Sequence, residues 1–359
     1  MSWLENLFKK KQETRLGIDL GSSAIKLVEV SPAQGALKLE TYGLAYFSAE
    51  GLKSAQSDTK QFEEIYKSGE GGAAETIFKL GPASGSIFET LSNKEISGIL
   101  RDLCAQSKIK TNAAYFSLPI FTTFSTVIEL PPMPQNELAA AIPFEAKKYV
   151  PIPLEEVELD WMVVGADANR QTADEKQGPI QIVLVAILKE VIAKYTKIAE
   201  MAGLGILALE PESFSLARSL IQDKNPGLSV IVDIGSSFAN IILTEDGTIK
   251  LVRNNRKKTG EKTNEPNKDF LAQKIQESII LHQEKFKNRE PADMANVKCI
   301  LTGGSALSEN IISFLKEKLG CEVLVGRPFA RMEYPEILEP ALQEIGPAMS
   351  AAAGVAMRS

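Results

Sequence analysis

The stretch Leu16-Gly-Ile-Asp-Leu-Gly-Ser-Ser23 comes back later in the chain as Val230-Ile-Val-Asp-Ile-Gly-Ser-Ser237. Each is a short apolar run, enough for one buried strand, that delivers an Asp, then a Gly, then two hydroxyl side chains. Those residue types suit a clamp for phosphate and metal. Asp19 and Asp233 are carboxylates able to hold a hydrated Mg²⁺, Gly21 and Gly235 let backbone N–H groups approach phosphate oxygens, and Ser22, Ser23, Ser236 and Ser237 add hydroxyl donors. One such loop occurs in many sheet proteins. Two in matching contexts point to a duplicated fold with a ligand between the copies.

The contexts do match. Ala24-Ile-Lys-Leu-Val-Glu-Val30, a polar turn and Ala36-Leu-Lys-Leu-Glu-Thr-Tyr42 follow the first loop. Phe238-Ala-Asn-Ile-Ile-Leu-Thr-Glu245, an Asp246-Gly247 hairpin turn and Thr248-Ile-Lys-Leu-Val-Arg253 follow the second. Both halves therefore read as a β-meander with the loop at its first turn. Lys26 lies on the strand after the first loop, and the pattern leaves open whether it faces phosphate or solvent. A third glycine turn, Gly303-Gly304-Ser305, follows the apolar strand Val297 to Thr302 and leads into a helix from Leu307 to Leu319. It suits either a ribose and adenine ring lying against bare backbone or a tight strand-to-helix turn.

Composition narrows the class. A chain of 359 residues that is 44% apolar can bury two cores. A net charge of −6 argues against a nucleic-acid binder, whose affinity comes from neutralising phosphates. Three scattered cysteines and a single histidine, His282, exclude His-rich metal centres and most His-based triads. No Gly-x-x-x-x-Gly-Lys-Ser/Thr loop is present, so phosphate binding falls to the paired Asp-x-Gly loops. No apolar run has the length of a bilayer span, and no signal peptide is evident. Residues 2–11 place Trp3, Leu4, Leu7 and Phe8 along one helical face before three lysines, a composition that suits a membrane surface or a tail docked on its own protein.

These motifs resemble the actin-like ATPase superfamily, which includes sugar kinases, heat-shock chaperone ATPases, actin and the division protein FtsA. Asp19-Leu-Gly-Ser is similar to its first phosphate loop, Asp233-Ile-Gly-Ser to its second and Thr302-Gly-Gly-Ser to its adenosine loop. The resemblance implies ATP with Mg²⁺ held through water by Asp19 and Asp233. It places Lys274 and Ser278 on the adenine-side helix. Leu209-Glu-Pro-Glu-Ser-Phe is similar to the connecting helix, which would make Glu210 the residue that orients the attacking water; a helix N-terminus with Glu and Pro in its first turn explains the same letters.

The resemblance narrows to the PilM family of type IV pilus assembly. It is carried by Leu130-Pro-Pro-Met-Pro, by the segment from Ile142-Pro-Phe-Glu-Ala to Leu159-Asp-Trp161, by Leu209-Glu-Pro-Glu-Ser-Phe, and by Gly326-Arg-Pro-Phe with the Ala-rich C-terminus. It implies a cytoplasmic protein at the inner face of the membrane that binds the N-terminal peptide of a PilN-like partner, with nucleotide as a conformational switch. The groove is expected partly at Pro143 to Pro153. A small-molecule kinase and an FtsA-like filament protein are the alternatives. The kinase lacks an evident substrate base, and the filament protein would carry an amphipathic C-terminal helix.

The expected fold is α/β: an actin-like (ribonuclease H-like) duplicated fold of two domains with an inserted α/β subdomain of the FtsA type. The tail spans 1–13, the first half 14–121, the inserted subdomain 122–205 with its last helix at 189–203, the connecting helix 206–227, the second half 228–346 and a closing helix 347–359. Two segments depart from the family. Residues 51–91 read as an exposed loop or insertion, and the polar run Asn254 to Asn267 stands where relatives carry a Gly-Gly turn. With Ser236, Ser237 and Phe238 in the second loop, slow turnover is expected.

Overall fold

The structure is a computed structural model that describes residues 14–47, 63–65, 75–80, 91–164, 179–222, 227–236, 238–256, 267–285 and 293–358. Residues 2–11, most of 51–91, Ser237 and 257–266, on which several expectations fall, lie outside the described residues.

The first half starts with β1 (Arg15–Leu20), β2 (Ala24–Pro32) and β3 (Leu37–Phe47), an antiparallel meander. β6 (Ala113–Leu118) adds in parallel beside β1, and β10 (Gly205–Pro211) in parallel beside β6. β11 (Leu228–Ile234), β12 (Phe238–Glu245) and β13 (Thr248–Arg256) repeat the meander in the second half, with β14 (Lys298–Thr302) and β15 (Glu322–Val325) parallel to β11 in the same order. The duplication in the letters is thus a duplication of strand order. The central strands β1 and β11 are buried on both faces, which is why both read as continuous apolar runs rather than alternating ones. The β12–β13 hairpin turns at Asp246 (φ 50°) and Gly247 (φ 75°), the two successive positive φ values that a tight hairpin needs.

The region read as an exposed loop or insertion at 51–91 contains β4 (Glu63–Ile65) and β5 (Glu75–Leu80). β5 pairs in parallel with β3, and β4 pairs with β5, so part of the segment extends the first sheet. β16 (Met332–Glu333) pairs with β3 as well. The polar run after Arg253 also differs from expectation at its start: Asn254, Asn255 and Arg256 continue β13, an edge strand on which polar side chains cost little.

Between β6 and β10 the chain makes a 3₁₀ turn (Ile120–Thr122) and then a separate sheet of β7 (Thr123–Leu130), β9 (Ile180–Leu188) and β8 (Val157–Val163), all antiparallel. Helix α2 (Gln135–Ala146) covers it through Leu138, Ile142 and Ala146, which join Ile128, Ile182 and Leu184 in one core. The helix expected to complete this inserted unit packs on the first half as well, in a core that also takes in Val183, Val185 and Ile187 of β9. α3 (Lys189–Ala202) packs Tyr195, Ile198 and Ala199 into the first-half core beside Ile96 and Leu100 of α1 (Asn93–Gln106), and Tyr195 meets Phe116 edge to face at 6.0 Å. Its apolar face is the same in either place; only the tertiary contact decides.

The two large sheets sandwich α4 (Glu212–Leu220) and α7 (Glu339–Ala356). Leu216 and Leu220 of α4 and Ala351 of α7 share a core with Ile231, Ile242 and Ile300 of the second sheet. α7 starts before the expected Pro347 and carries that proline inside it. Its small residues let backbones meet: a Cβ on Gly354 would overlap the Ser215 carbonyl of α4, and one on Gly17 would overlap the α7 backbone at Ala352. Helices α5 (Lys268–Lys285) and α6 (Glu309–Leu319) cover the second sheet through Leu271, Ile275, Ile311 and Leu315. Among the described residues no helix is long and apolar enough to cross a membrane.

Candidate functional site

The two repeated loops are built by one local rule. In each, the glycine N–H donates to the carbonyl three residues on, Gly21 to Ala24 at 2.9 Å and Gly235 to Phe238 at 3.0 Å, closing a turn between the first two strands of the meander. In each, the Asp stands opposite the residue seven positions later. Asp19 pairs with Lys26 across β1–β2, and Asp233 with Asn240 across β11–β12. The cross-strand partners then reach the carboxylates: Lys26 Nζ lies 2.8 Å from Asp19 Oδ2, and Asn240 Nδ2 donates to Asp233 Oδ2 at 3.0 Å. Asn254 extends the second set by donating to Asn240 Oδ1 at 2.6 Å.

The fold brings these loops tip to tip. Ser22 Oγ and Ser236 Oγ are 2.8 Å apart. Ser23 is half-buried. The third loop closes on the second: Gly303 has φ +89°, and a Cβ there would sit 2.6 Å from Asp233 Oδ1 and 2.7 Å from the Ile234 carbonyl. Gly303 N–H and the Thr302 hydroxyl both donate to the Pro347 carbonyl, at 2.9 and 2.6 Å. Gly304 is exposed with open space beside it, and Ser305 is half-buried. Past it, Leu307 borders a cavity of about 280 Å³ shared with Pro328, Phe329 and Leu342.

The other expected residues are placed differently. Glu210 lies next to last on β10 but does not present a free carboxylate to the loops. Arg218 grips both oxygens at 2.6 and 2.7 Å, Arg358 adds a contact at 2.9 Å and Ser215 another at 2.8 Å, so its lone pairs are spent holding α4 and the chain end together. Glu212, two residues on, is the acid beside the loops. It is half-buried, accepts the Ile120 N–H, and lies in the field of Asp233, Asp19 and Lys26. Burial first, and the two aspartates next, push its carboxyl well above the ordinary glutamate value. Lys274 is ion-paired with Glu277 at 2.8 Å, and the buried Ser278 hydroxyl is turned onto its own helix at the Lys274 carbonyl, so neither borders the cavity at Leu307.

Lys26 is the cation of this group. Burial works against its charge, but Asp19 first, then Glu212 and Asp233, more than offset it and its pKa rises. Asp19 and Asp233 facing one ammonium leave negative charge in excess even where Glu212 keeps its proton. Bare phosphate would be repelled by that balance, whereas phosphate arriving with a divalent cation would satisfy it. Among the described residues no three acidic, His or Cys side chains are close enough to cage a metal directly.

Glu212, Asn240 and Asn254 escaped the sequence reading. The signal for Asn240 was available, since it occupies the place in the second repeat that Lys26 occupies in the first. Glu212 had none beyond its acidity.

The family model of the type IV pilus assembly protein PilM matches residues 89–270. Among solved structures, a PilM–PilN type IV pilus biogenesis complex superposes with a TM-score of 0.68 at 19% identity, covering 96% of this chain and 98% of that one. The ethanolamine utilization protein EutJ from Carboxydothermus hydrogenoformans gives 0.41 at 16% identity, covering 96% and 90%. The archaeal actin homolog Ta0583 gives 0.38 at 11%, covering 96% and 98%. The duplicated sheets are those of the PilM–PilN structure, and since the family model takes in half of the sequence, the chain belongs to the PilM family of type IV pilus assembly proteins.

Proposed function

We propose that the chain is the cytoplasmic, ATP-binding component of an inner-membrane platform for type IV pilus assembly or a related secretion system, in which nucleotide sets the conformation that a PilN-like partner meets. The observation that carries the nucleotide reading is the convergence of three loops from two halves: Ser22 on Ser236 and Gly303 on Asp233. In this reading Lys26 and the Ser22 and Ser236 hydroxyls meet phosphate oxygens. Asp19 and Asp233 hold hydrated Mg²⁺, and Gly303, Gly304 and Ser305 pass beside the nucleoside. Bound metal would supply the charge balance that phosphate needs against these carboxylates. Glu212 takes the water-orienting part first given to Glu210, and turnover is slow.

The partner reading rests on the inserted sheet. Phe144 is 70% exposed and Tyr149 42% exposed on or just after α2, within the Pro143 to Pro153 segment. Outward aromatics on the unit whose sheet ends in β8 suit an extended peptide that bonds to backbone and drops side chains into pockets. Peripheral membrane association would then follow from the partner.

Calorimetry tests both parts. Mg-ATP should bind the purified chain, and a synthetic peptide from the cytoplasmic N-terminus of the neighbouring inner-membrane pilus protein should bind with a free energy of about −8 kcal/mol, micromolar affinity. Undetectable ATP binding at millimolar concentrations would remove the nucleotide reading. A silent peptide would remove the partner reading.

A further inference from the structure

The 3₁₀ turn Ile120–Thr122 touches three regions that lie far apart in the sequence. It leaves β6, which is bonded to β1, and opens directly into β7, a strand of the inserted sheet. The Ile120 N–H donates to Glu212, the carboxylate beside Asp19 and Asp233. The Phe121 ring stacks on Phe238 with centroids 5.0 Å apart and planes at 19°. Phe238 opens β12, and its carbonyl takes the Gly235 N–H that closes the second loop. A second bridge runs alongside: Lys250 of β13 donates to Gln181 of β9 at 3.0 Å, and the Gln181 amide donates to Glu129 of β7 at 3.1 Å.

We propose that Phe121 is a positioning residue that couples occupancy of the phosphate loops to the arrangement of the inserted sheet, through its stack on Phe238. The inference rests on the nucleotide reading above and adds the route by which that occupancy reaches the partner surface. The loops touch through Ser22 and Ser236, so a phosphate group entering between them displaces the second loop. Phe238 moves with that loop, because Gly235 is bonded to it. The stacked ring then carries the shift to Phe121, two residues before β7 begins. Two features let the strand respond. Phe121 is 43% exposed, so its ring can change partners without opening a core cavity, and the first four residues of β7 are only half-buried. Ile120, by contrast, is fixed in the core between the sheets, which makes it the fulcrum of the movement.

The test is amide hydrogen exchange, read by mass spectrometry on the full chain, with Mg-ATP as the probe and calorimetry run on the same samples. In the wild type, Mg-ATP should change exchange in β7 and β9 by at least roughly five-fold, the lower end of site-to-site coupling, and Phe121→Ala should lose that response while ATP affinity stays within about two-fold. Phe121→Tyr, which keeps the stacked ring, should restore the response; a purely structural role would not give this pattern at unchanged ATP affinity. An equal response in Phe121→Ala would overturn the relay. So would ATP binding to the wild type with no change in β7 or β9, although the nucleotide reading would then stand. If ATP does not bind the wild type at all, that reading fails first and the relay falls with it.

Discussion

The Ser22 hydroxyl lies 2.8 Å from that of Ser236, across 214 residues of sequence. The contact joins the two halves at the place where a phosphate would have to enter. A Ser22→Cys/Ser236→Cys variant should form a disulfide on oxidation, since the two side chains already touch. The oxidised variant should fail to bind Mg-ATP and should recover on reduction, and Mg-ATP should slow cross-linking of the reduced form. Unimpaired binding to the cross-linked protein, by calorimetry, would separate these loops from the nucleotide.

Asp19 and Asp233 should respond unequally to removal. Asp19→Ala takes from the largely buried Lys26 ammonium the carboxylate bonded to it and leaves Asp233 and Glu212 to act only through their field, at a cost of about 3 kcal/mol of stability. Asp233→Ala loses the Asn240 hydrogen bond but strands no charge, at a cost of about 1.5 kcal/mol. Urea denaturation should rank them in that order. Mg-dependent nucleotide affinity should fall in both, and Asp233→Ala is the cleaner probe.

Glu210 and Glu212 should give stability changes of opposite sign. Glu210→Gln leaves Arg218 and Arg358 without their countercharge and should destabilise the chain by about 3 kcal/mol at neutral pH. Glu212→Gln should stabilise the nucleotide-free chain. Its folded carboxyl titrates above the unfolded value of 4.5, so wild type and variant should match below that pH. As the pH rises past 4.5 the unfolded state releases its proton first, and the wild type loses ground until the raised folded value is passed. Thermal melts from pH 4 to 8 would read this, and a variant advantage that shrinks as pH rises would refute it.

Gly303→Ala should be costly where Gly304→Ala is not. The first places a Cβ at φ +89° and 2.6 Å from Asp233 Oδ1, whereas the second meets nothing within 4 Å. The backbone strain alone costs about 1 kcal/mol, and the displaced carboxylate adds to it. Comparing the two variants by urea denaturation and ATP calorimetry separates a tight turn from a ligand contact, since only a ligand contact at Gly304 would lower affinity at unchanged stability.

The strand order and the facing loops were legible because they repeat: one Asp-x-Gly-Ser-Ser after an apolar strand says little, and two followed by matching meanders say a good deal. What escaped was decided in three dimensions. The apolar face of Lys189–Ala202 is plain in the sequence, but nothing local says that Tyr195 meets Phe116 of the first half. Glu210 and Glu212 are both acids flanking Pro211, and only Arg218 and Arg358, the latter 148 residues away, settle which one is neutralised. Asn254 read as the start of a polar loop because an edge strand imposes no apolar alternation. Ser278 matched a relative's pattern, yet its hydroxyl is spent on its own helix.

The last helix fills a groove that the first strand opens. Gly17 of β1 is shaped to admit the backbone of α7 at Ala352, and the third loop leans on the Pro347 carbonyl of the same helix. On the ribosome, therefore, the first sheet emerges early but lacks its cover until α7 has followed the whole second half. The second half, continuous from β11 to β15, can assemble its meander and the α5 and α6 layer before that. The order of completion thus runs opposite to the order of translation, and the unpaired apolar face of the first sheet is the surface most exposed to aggregation while the chain is made.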